Sequence, residues 1–323
     1  MDYAPARWLP GAHAMTVFAS VARLGPRPRA RRERWELPDG DFLDVDFLGA
    51  PPPDAPALVI LHGLEGSSRA PYVRGLAGLA LRAGLAPIAV NFRGCSGTPN
   101  RLPRFYHSGE TGDLDHVVRR LAAARPGRPI VIGGFSLGGN VVVKYLGERG
   151  DDLPAEVRGG AGISVPFDLA RAARALDAPG FWNLVYRERF LRRLRAKALA
   201  KARRFPESLD PAAILGARTF AAYDAVVTAR LHGFASAEDY WTRCSSGQFV
   251  RGVRRPLLLV AAIDDPIVPG DSVPVEAAGA NPAVTLVATE VGGHVAFVAG
   301  SPFWPSFWAE ARAAAFLADA ARR

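Results

Sequence analysis

The chain predicts an α/β fold: a mostly parallel sheet with helices on both faces and an inserted helical cap. Three observations carry that expectation. Short apolar runs alternate with stretches of helical spacing through the first half of the chain. Strand signals then vanish from Phe167 to Val250, where at least three helical segments follow one another. They return at Pro256–Ala262 and Val284–Ala288, so the helical stretch interrupts a single sheet. The expected division is a core of residues 1–166 and 251–323, with 1–35 packing on it as an N-terminal segment, and a cap of residues 167–250.

The elements follow in order. Glu33–Leu37 and Phe42–Phe47 flank Pro38-Asp39-Gly40, a turn sequence, and read as a hairpin. Ala57–Leu61 is an all-apolar strand that runs into His62-Gly63. Tyr72–Ala83 has helical spacing and Pro87–Asn91 is a buried strand. Asp113–Ala124 places Leu114, Val117, Val118 and Leu121 on one helical face. Pro129–Gly133 is a further core strand, Leu137–Gly147 a helix behind it, and Val157–Val165 the next strand. A final helix is expected from about Trp304 to Ala320.

Composition narrows the function. With 323 residues, 49% hydrophobic and 22% charged, the chain has the balance of a globular protein with a sizeable core, not of a collagen or a disordered segment. Cys95 and Cys244 are too few for a disulfide framework or a thiolate zinc site. The apolar patch Ala14–Ala22 is broken by Thr16 and Ser20, which argues against a signal peptide, and the cytoplasm is the expected compartment. No phosphate loop, dinucleotide-binding turn or H-E-x-x-H pair occurs, so no cofactor and no metal are expected.

The sharpest chemical signal is Gly134-Phe135-Ser136-Leu137-Gly138, which follows one predicted strand and opens a helix. A serine on so tight a turn stands clear at the sheet's carboxyl edge, and the small flanking residues let strand and helix approach. Serine needs a base to become a nucleophile. Of six histidines, only His294 lies in the loop between the last strand and the final helix. The acid that orients its ring belongs after Pro256–Ala262. Asp265 is preferred there because Pro266-Ile267-Val268-Pro269 turns the chain at once. Asp264, as a turn-capping neighbour, and Asp168 remain alternatives. The oxyanion donors are expected to be the backbone N–H groups of Leu137 and of Leu64, in His62-Gly63-Leu64-Glu65-Gly66. His62 itself reads as a turn-stabilising residue.

With these residues in place, the chain resembles the YheT-like branch of the α/β hydrolases, related to the eukaryotic ABHD-type lipid hydrolases. The likeness spans nearly the whole length. It rests on Gly11-Ala12-His13-Ala14-Met15-Thr16, His62-Gly63-Leu64-Glu65-Gly66-Ser67-Ser68, Asn91-Phe92-Arg93-Gly94-Cys95-Ser96-Gly97 and Tyr106-His107-Ser108-Gly109-Glu110-Thr111. It continues through Gly134–Asn140, Ser164-Val165-Pro166-Phe167-Asp168-Leu169, Asp264-Asp265-Pro266 and Gly292-Gly293-His294-Val295-Ala296-Phe297. The resemblance implies a Ser–Asp–His triad on Ser136, Asp265 and His294, and hydrolysis of carboxylic esters, acyl glycerides or phospholipids among them. Met15 stands where the family usually has glutamine, which weakens a polar role for that segment. Arg93 reads as an internal salt-bridge partner, His107 and Glu110 as loop-ordering residues, Asp113 as a cap or first-turn acid, and Cys95 as a small buried residue.

The expected enzyme is a serine hydrolase of short- to medium-chain or lipid-like carboxylic esters. A thioesterase or acyltransferase with the same triad, or a silent lipid- or partner-binding scaffold, are the alternatives. Phe181, Trp182, Tyr186 and Phe190 are candidate substrate-lining residues from the cap. The net charge of +9 comes almost entirely from Arg187–Arg204, where nine bases accompany the single acid Glu188. Phe190, Leu191, Leu194, Ala198 and Phe205 share one helical arc there, with Arg187 and Lys201 intruding on it. This segment is either a cap helix with a solvated basic face or a contact for anionic membrane. No recognition motif for nucleic acid accompanies the charge, so no nucleic-acid partner is expected.

Overall fold

The computed structural model describes residues 2–23, 25 and 27–323. Eight strands form one sheet: β1 (Ala30–Glu36), β2 (Phe42–Leu48), β3 (Ala57–Leu61), β4 (Ala86–Asn91), β5 (Ile130–Phe135), β6 (Val157–Ile163), β7 (Leu257–Ala262) and β8 (Val284–Thr289). Their order is β1-β2-β4-β3-β5-β6-β7-β8. β1 and β2 pair antiparallel, β2 meets β4 antiparallel, and every pairing from β4 through β8 is parallel. The antiparallel edge is held by charge as well as by apolar contact. Arg32 stands opposite Asp46 and Arg34 opposite Asp44, and each guanidinium grips its partner carboxylate through two hydrogen bonds.

The central strands carry apolar residues on both faces because both faces are covered. β3, β4, β5 and β7 are buried at every position. On one face lie α3 (Thr111–Ala124) and α4 (Leu137–Arg149), with Val117, Val118, Val141, Val142 and Tyr145 in the core. On the other lie α2 (Pro71–Arg82) and, beyond the short α11 (Val275–Gly279) that precedes β8, the C-terminal α12 (Trp308–Arg322). The alanines of α12 let it come close to α2, with Ala313 and Leu317 fully buried between helix and sheet.

One segment was given no element by the sequence reading, and another differs from it. The apolar patch near the start forms α1 (Ala12–Val21), whose Met15 and Ala19 pack with Ala6, Ala296 and Val298. The last helix begins at Trp308, four residues later than expected, because the chain before it pairs as the short hairpin of β9 (Val298–Gly300) and β10 (Pro305–Phe307). Pro305 holds Trp304 away from helical angles, and Phe303 and Trp304 are left exposed at the hairpin tip.

Between β6 and β7 the described chain is helical: α5 (Leu169–Asp177), α6 (Phe181–Arg204), α7 (Pro211–Gly216), α8 (Phe220–Tyr223), α9 (Arg230–His232) and α10 (Ala237–Cys244), with a π-helical stretch at 224–229 joining α8 to α9. The basic α6 is not a uniformly solvated face. Lys201 is buried and donates to the carbonyls of Asn100 and Leu102, and burial holds its ammonium down to about 8. Lys197 pairs with Glu65, Arg195 with Glu188, and Arg187 and Arg204 donate to backbone carbonyls. None of the described helices is long and apolar enough to cross a membrane.

Candidate active site

The loops that leave the carboxyl ends of β3, β5, β6, β7 and β8 converge on one point, the place where parallel sheets expose their chemistry. Ser136 sits between β5 and α4 at φ 51°, ψ −121°, a strained conformation for a residue with a side chain. The turn closes only because its neighbours lack side chains. A Cβ on Gly134 would stand 2.3 Å from the Gly138 carbonyl oxygen, and one on Gly138 would stand 2.5 Å from that of His62.

His294 Nε2 lies 3.0 Å from Ser136 Oγ, and Nδ1 lies 2.8 Å from one oxygen of Asp265 and 3.1 Å from the other. The Asp265 carboxylate is itself fixed, since its Oδ1 accepts the N–H groups of Ile267 and Val268 at 2.9 and 3.0 Å. These are the two residues that follow Pro266 in the sharp turn. Asp264 takes a different place: its Oδ1 accepts the Gly293 N–H at 2.9 Å and steadies the histidine's loop. Burial pushes its carboxyl above the ordinary range. Asp168 makes no hydrogen bond to His294 among the described residues; it caps α5 by accepting the Arg171 N–H.

Leu64 and Leu137 border the same cavity as Ser136 and His294. Among the described residues neither backbone N–H has a protein acceptor. For Leu137 this is the orphan donor at the start of a helix. For Leu64 it follows from a loop pinned on all other sides. Tyr106 Oη accepts the Glu65 N–H, Tyr72 Oη accepts the Gly63 N–H, and His62 Nδ1 donates to the Gly63 carbonyl at 2.7 Å. The other His62 nitrogen accepts the Phe92 N–H, and burial lowers the ring to about 4, so it is a neutral strut. Glu65 adopts φ 56° and reaches Lys197 of α6 at 3.0 Å, which ties this loop to the cap.

The sequence reading missed the supports of the histidine loop. Thr16 Oγ1 of α1 accepts the His294 N–H at 2.9 Å, and Ser164 Oγ accepts the Val295 N–H at 2.9 Å. Both lie in segments that carried the family resemblance, which was the available signal. The polar role of the first segment falls on Thr16 and on His13, which bonds Tyr186 Oη at 3.0 Å; Met15 is buried core. Asn140 clasps the serine's helix to the cap, donating to the Ser108 and Cys244 carbonyls and accepting the Ser246 N–H. Arg93 is an internal partner of Asp113, Asp39 and Asp41.

Two cavities meet at Ser136 and His294. One, of about 120 Å³, runs under the cap between Leu169, Leu176, Phe190, Leu194, Phe220 and Trp241. Its chief polar inclusion is Asp224, whose carboxyl accepts Trp241 Nε1 and Thr228 Oγ1 and is pushed up to about 6 by burial. The other, of about 490 Å³, opens past α1 and α6. Phe190 borders both, and Trp182 and Tyr186 border the larger. Phe181 borders neither. The residue is 72% exposed and its ring packs edge-on against Trp182, because the first turn of α6 projects beyond the core.

His107, Glu110 and His232 bring possible metal-ligating atoms within 4.8 Å of one another. The Arg104 guanidinium already binds Glu110, and burial with the charges of Arg104, Lys144 and Arg243 holds His107 down to about 3. That electropositive setting opposes a cation.

A family model described as the alpha/beta hydrolase fold matches residues 56–301. The chain is an α/β hydrolase. Within that family it belongs with YheT of Escherichia coli (strain K12), an esterase by name, to which it is 35% identical over 96% of this chain and 91% of YheT. Phospholipase ABHD3 of Mus musculus is 29% identical over 94% of this hydrolase and 74% of its own length. The monoacylglycerol lipase of Saccharomyces cerevisiae is 32% identical, over 82% and 58%. The Pyrococcus furiosus esterase Pf2001 superposes with a TM-score of 0.58 at 18% identity, covering 90% of each chain, and shares the fold.

Proposed function

We propose that this α/β hydrolase cleaves carboxylic esters through an acyl-serine intermediate. The observation that supports the reading is the continuous chain Ser136 Oγ to His294 Nε2 at 3.0 Å, with His294 Nδ1 to Asp265 at 2.8 Å. In this reading His294 takes the Ser136 proton as Oγ bonds to the ester carbonyl carbon. The Leu64 and Leu137 N–H groups receive the oxyanion, and Asp265 stabilises the imidazolium. Collapse breaks the ester C–O bond, and the alcohol leaves with the proton from His294. Water, deprotonated by the same ring, then releases the acid and returns the proton to Oγ. The smaller cavity takes the acyl chain, short to medium in length, and the larger one the alcohol. Two free, buried cysteines fit a reducing compartment, so the cytoplasm is part of this reading.

Fluorophosphonate labelling tests the nucleophile, with p-nitrophenyl esters of graded chain length as substrates. Wild type is expected to label and to hydrolyse short and medium chains. Ser136→Ala is expected to do neither, and labelling that survives the substitution overturns the assignment. Turnover of thioesters but not of oxygen esters would place the enzyme among thioesterases. Thr16→Val should lower kcat about tenfold through a misplaced ring, and cost about 1 kcal/mol in urea unfolding for the His294 N–H left without its acceptor.

The first turns of α6 support a peripheral contact with anionic membrane. Phe181, Leu184 and Val185 are exposed there beside Arg189, Arg192 and Arg193, none of which has a carboxylate partner among the described residues. An apolar edge followed by free cations matches an anionic lipid surface. Co-sedimentation with phosphatidylglycerol vesicles at low ionic strength is expected for wild type and is expected to be lost in Phe181→Asp/Leu184→Asp. Absence of wild-type binding overturns the contact.

A further inference from the structure

The two cavities that meet at Ser136 have opposite electrical character. The cap cavity is walled mainly by aliphatic and aromatic side chains and is bordered by the half-buried Asp224. Three arginines border the larger one: Arg69 from the loop before α2, and Arg189 and Arg193 one helical turn apart on α6. None of the three makes a salt bridge among the described residues, and Arg189 is held only by a 3.4 Å hydrogen bond to Ser20 Oγ. Among the described residues the one acid on this wall is Glu65, already engaged by Lys197 Nζ and Tyr106 Oη, both at 3.0 Å. The positive charge of the wall therefore has no carboxylate partner among the described residues.

Resting on the ester-hydrolase reading above, we propose that Arg69, Arg189 and Arg193 form an anion subsite for the alcohol half of the ester, and that the preferred substrates carry a phosphate on that alcohol with net negative charge. Guanidinium forks suit phosphate oxygens, and three from two chain segments can surround one group. The cap cavity holds the acyl chain, Ser136 stands at the junction, and the phosphate lies toward the cavity mouth. A neutral glyceride would leave the three cations unused. A phosphocholine head would bring its own ammonium against them. The subsite thus separates anionic from zwitterionic and neutral esters of the same acyl chain.

The test compares soluble short-chain substrates that share one acyl group, below the concentration at which they aggregate, so that adsorption to a lipid surface plays no part. Monoacylglycerol 3-phosphate is expected to exceed both monoacylglycerol and the phosphocholine ester in kcat/KM by roughly tenfold or more, with the advantage shrinking as salt is raised. The triple variant Arg69→Gln/Arg189→Gln/Arg193→Gln should bring the ratio near one, while Arg203→Gln, on the same helix but off the cavity, should preserve it. Equal rates for the three substrates in wild type, or a ratio that survives the triple variant, overturn the proposal. Calorimetric binding of sn-glycerol 3-phosphate to Ser136→Ala, abolished by adding the triple substitution, tests the subsite apart from catalysis. Binding without hydrolysis of any ester would sink the ester reading and leave the subsite standing. Ester hydrolysis without binding or preference would do the reverse.

Discussion

Asp265→Asn is expected to lower kcat by about 10⁴-fold in p-nitrophenyl ester hydrolysis, with KM little changed. The size follows from the bonding around one carboxylate. Oδ1 accepts two backbone N–H groups from Ile267 and Val268, so in the asparagine variant the amide oxygen must take that position. The NH₂ group then faces His294 Nδ1, where Oδ2 stood at 2.8 Å. A donor there forces the ring into the tautomer with hydrogen on Nε2, the nitrogen 3.0 Å from Ser136 Oγ. That nitrogen can no longer take the serine's proton. The variant should fold normally, because every backbone donor keeps its acceptor. Asp264→Asn is the matching control, and a loss of comparable size there would mean that the wrong acid has been assigned.

Gly138→Ala should damage folding and activity together. Its Cβ would meet the carbonyl oxygens of His62 and Leu61 at 2.5 and 2.6 Å, and both are backbone atoms that cannot rotate aside. Either α4 lifts from the end of β3 or the loop carrying Leu64 is pushed outward. We expect a loss of about 3 kcal/mol in denaturant unfolding. In the fraction that still folds, activity should fall about 10²-fold, because Ser136 and the two N–H groups proposed to receive the oxyanion hang on the displaced segments. Gly216→Ala, with open space around the added methyl and an ordinary φ, should leave stability within about 0.5 kcal/mol. Unchanged stability in Gly138→Ala would show that the elbow is looser than its contacts imply.

How much of this was legible in the sequence depended on whether the information was local. The run Ala57–Leu61 and the turn Gly134–Gly138 announce themselves, because burial on both faces and a close strand–helix crossing each demand particular residues in a row. The placement of His294 after the last main strand was legible for the same reason. What escaped was set by distant partners. Nothing in the sequence around Thr16 says that its hydroxyl will meet an N–H 278 residues away. The arc of α6 was read as one face, yet the helix changes surroundings along its length. Leu191 and Ala198 are buried where the helix crosses the core, whereas Phe181 lies on a turn that projects past it. Periodicity did put Lys201 on the apolar arc; what it could not report is why a lysine is tolerated there, namely the carbonyls of Asn100 and Leu102 that accept from it. Likewise Trp304 fitted a helical pattern until Pro305 put the preceding residues into a hairpin.

The supports of the histidine loop carry a consequence for the order in which the molecule matures. Its backbone is held by a hydroxyl from α1, near the start of the chain, and by a hydroxyl from the middle, 278 and 131 residues away. Closing such long loops is among the last events in folding. On a ribosome, the strands through β6 can pair and the serine's turn can form while the base is still unmade. On the proposed mechanism a nascent chain therefore carries Ser136 without its base, and hydrolytic competence is expected only when the final seventy or so residues emerge and their loop docks on the first helix.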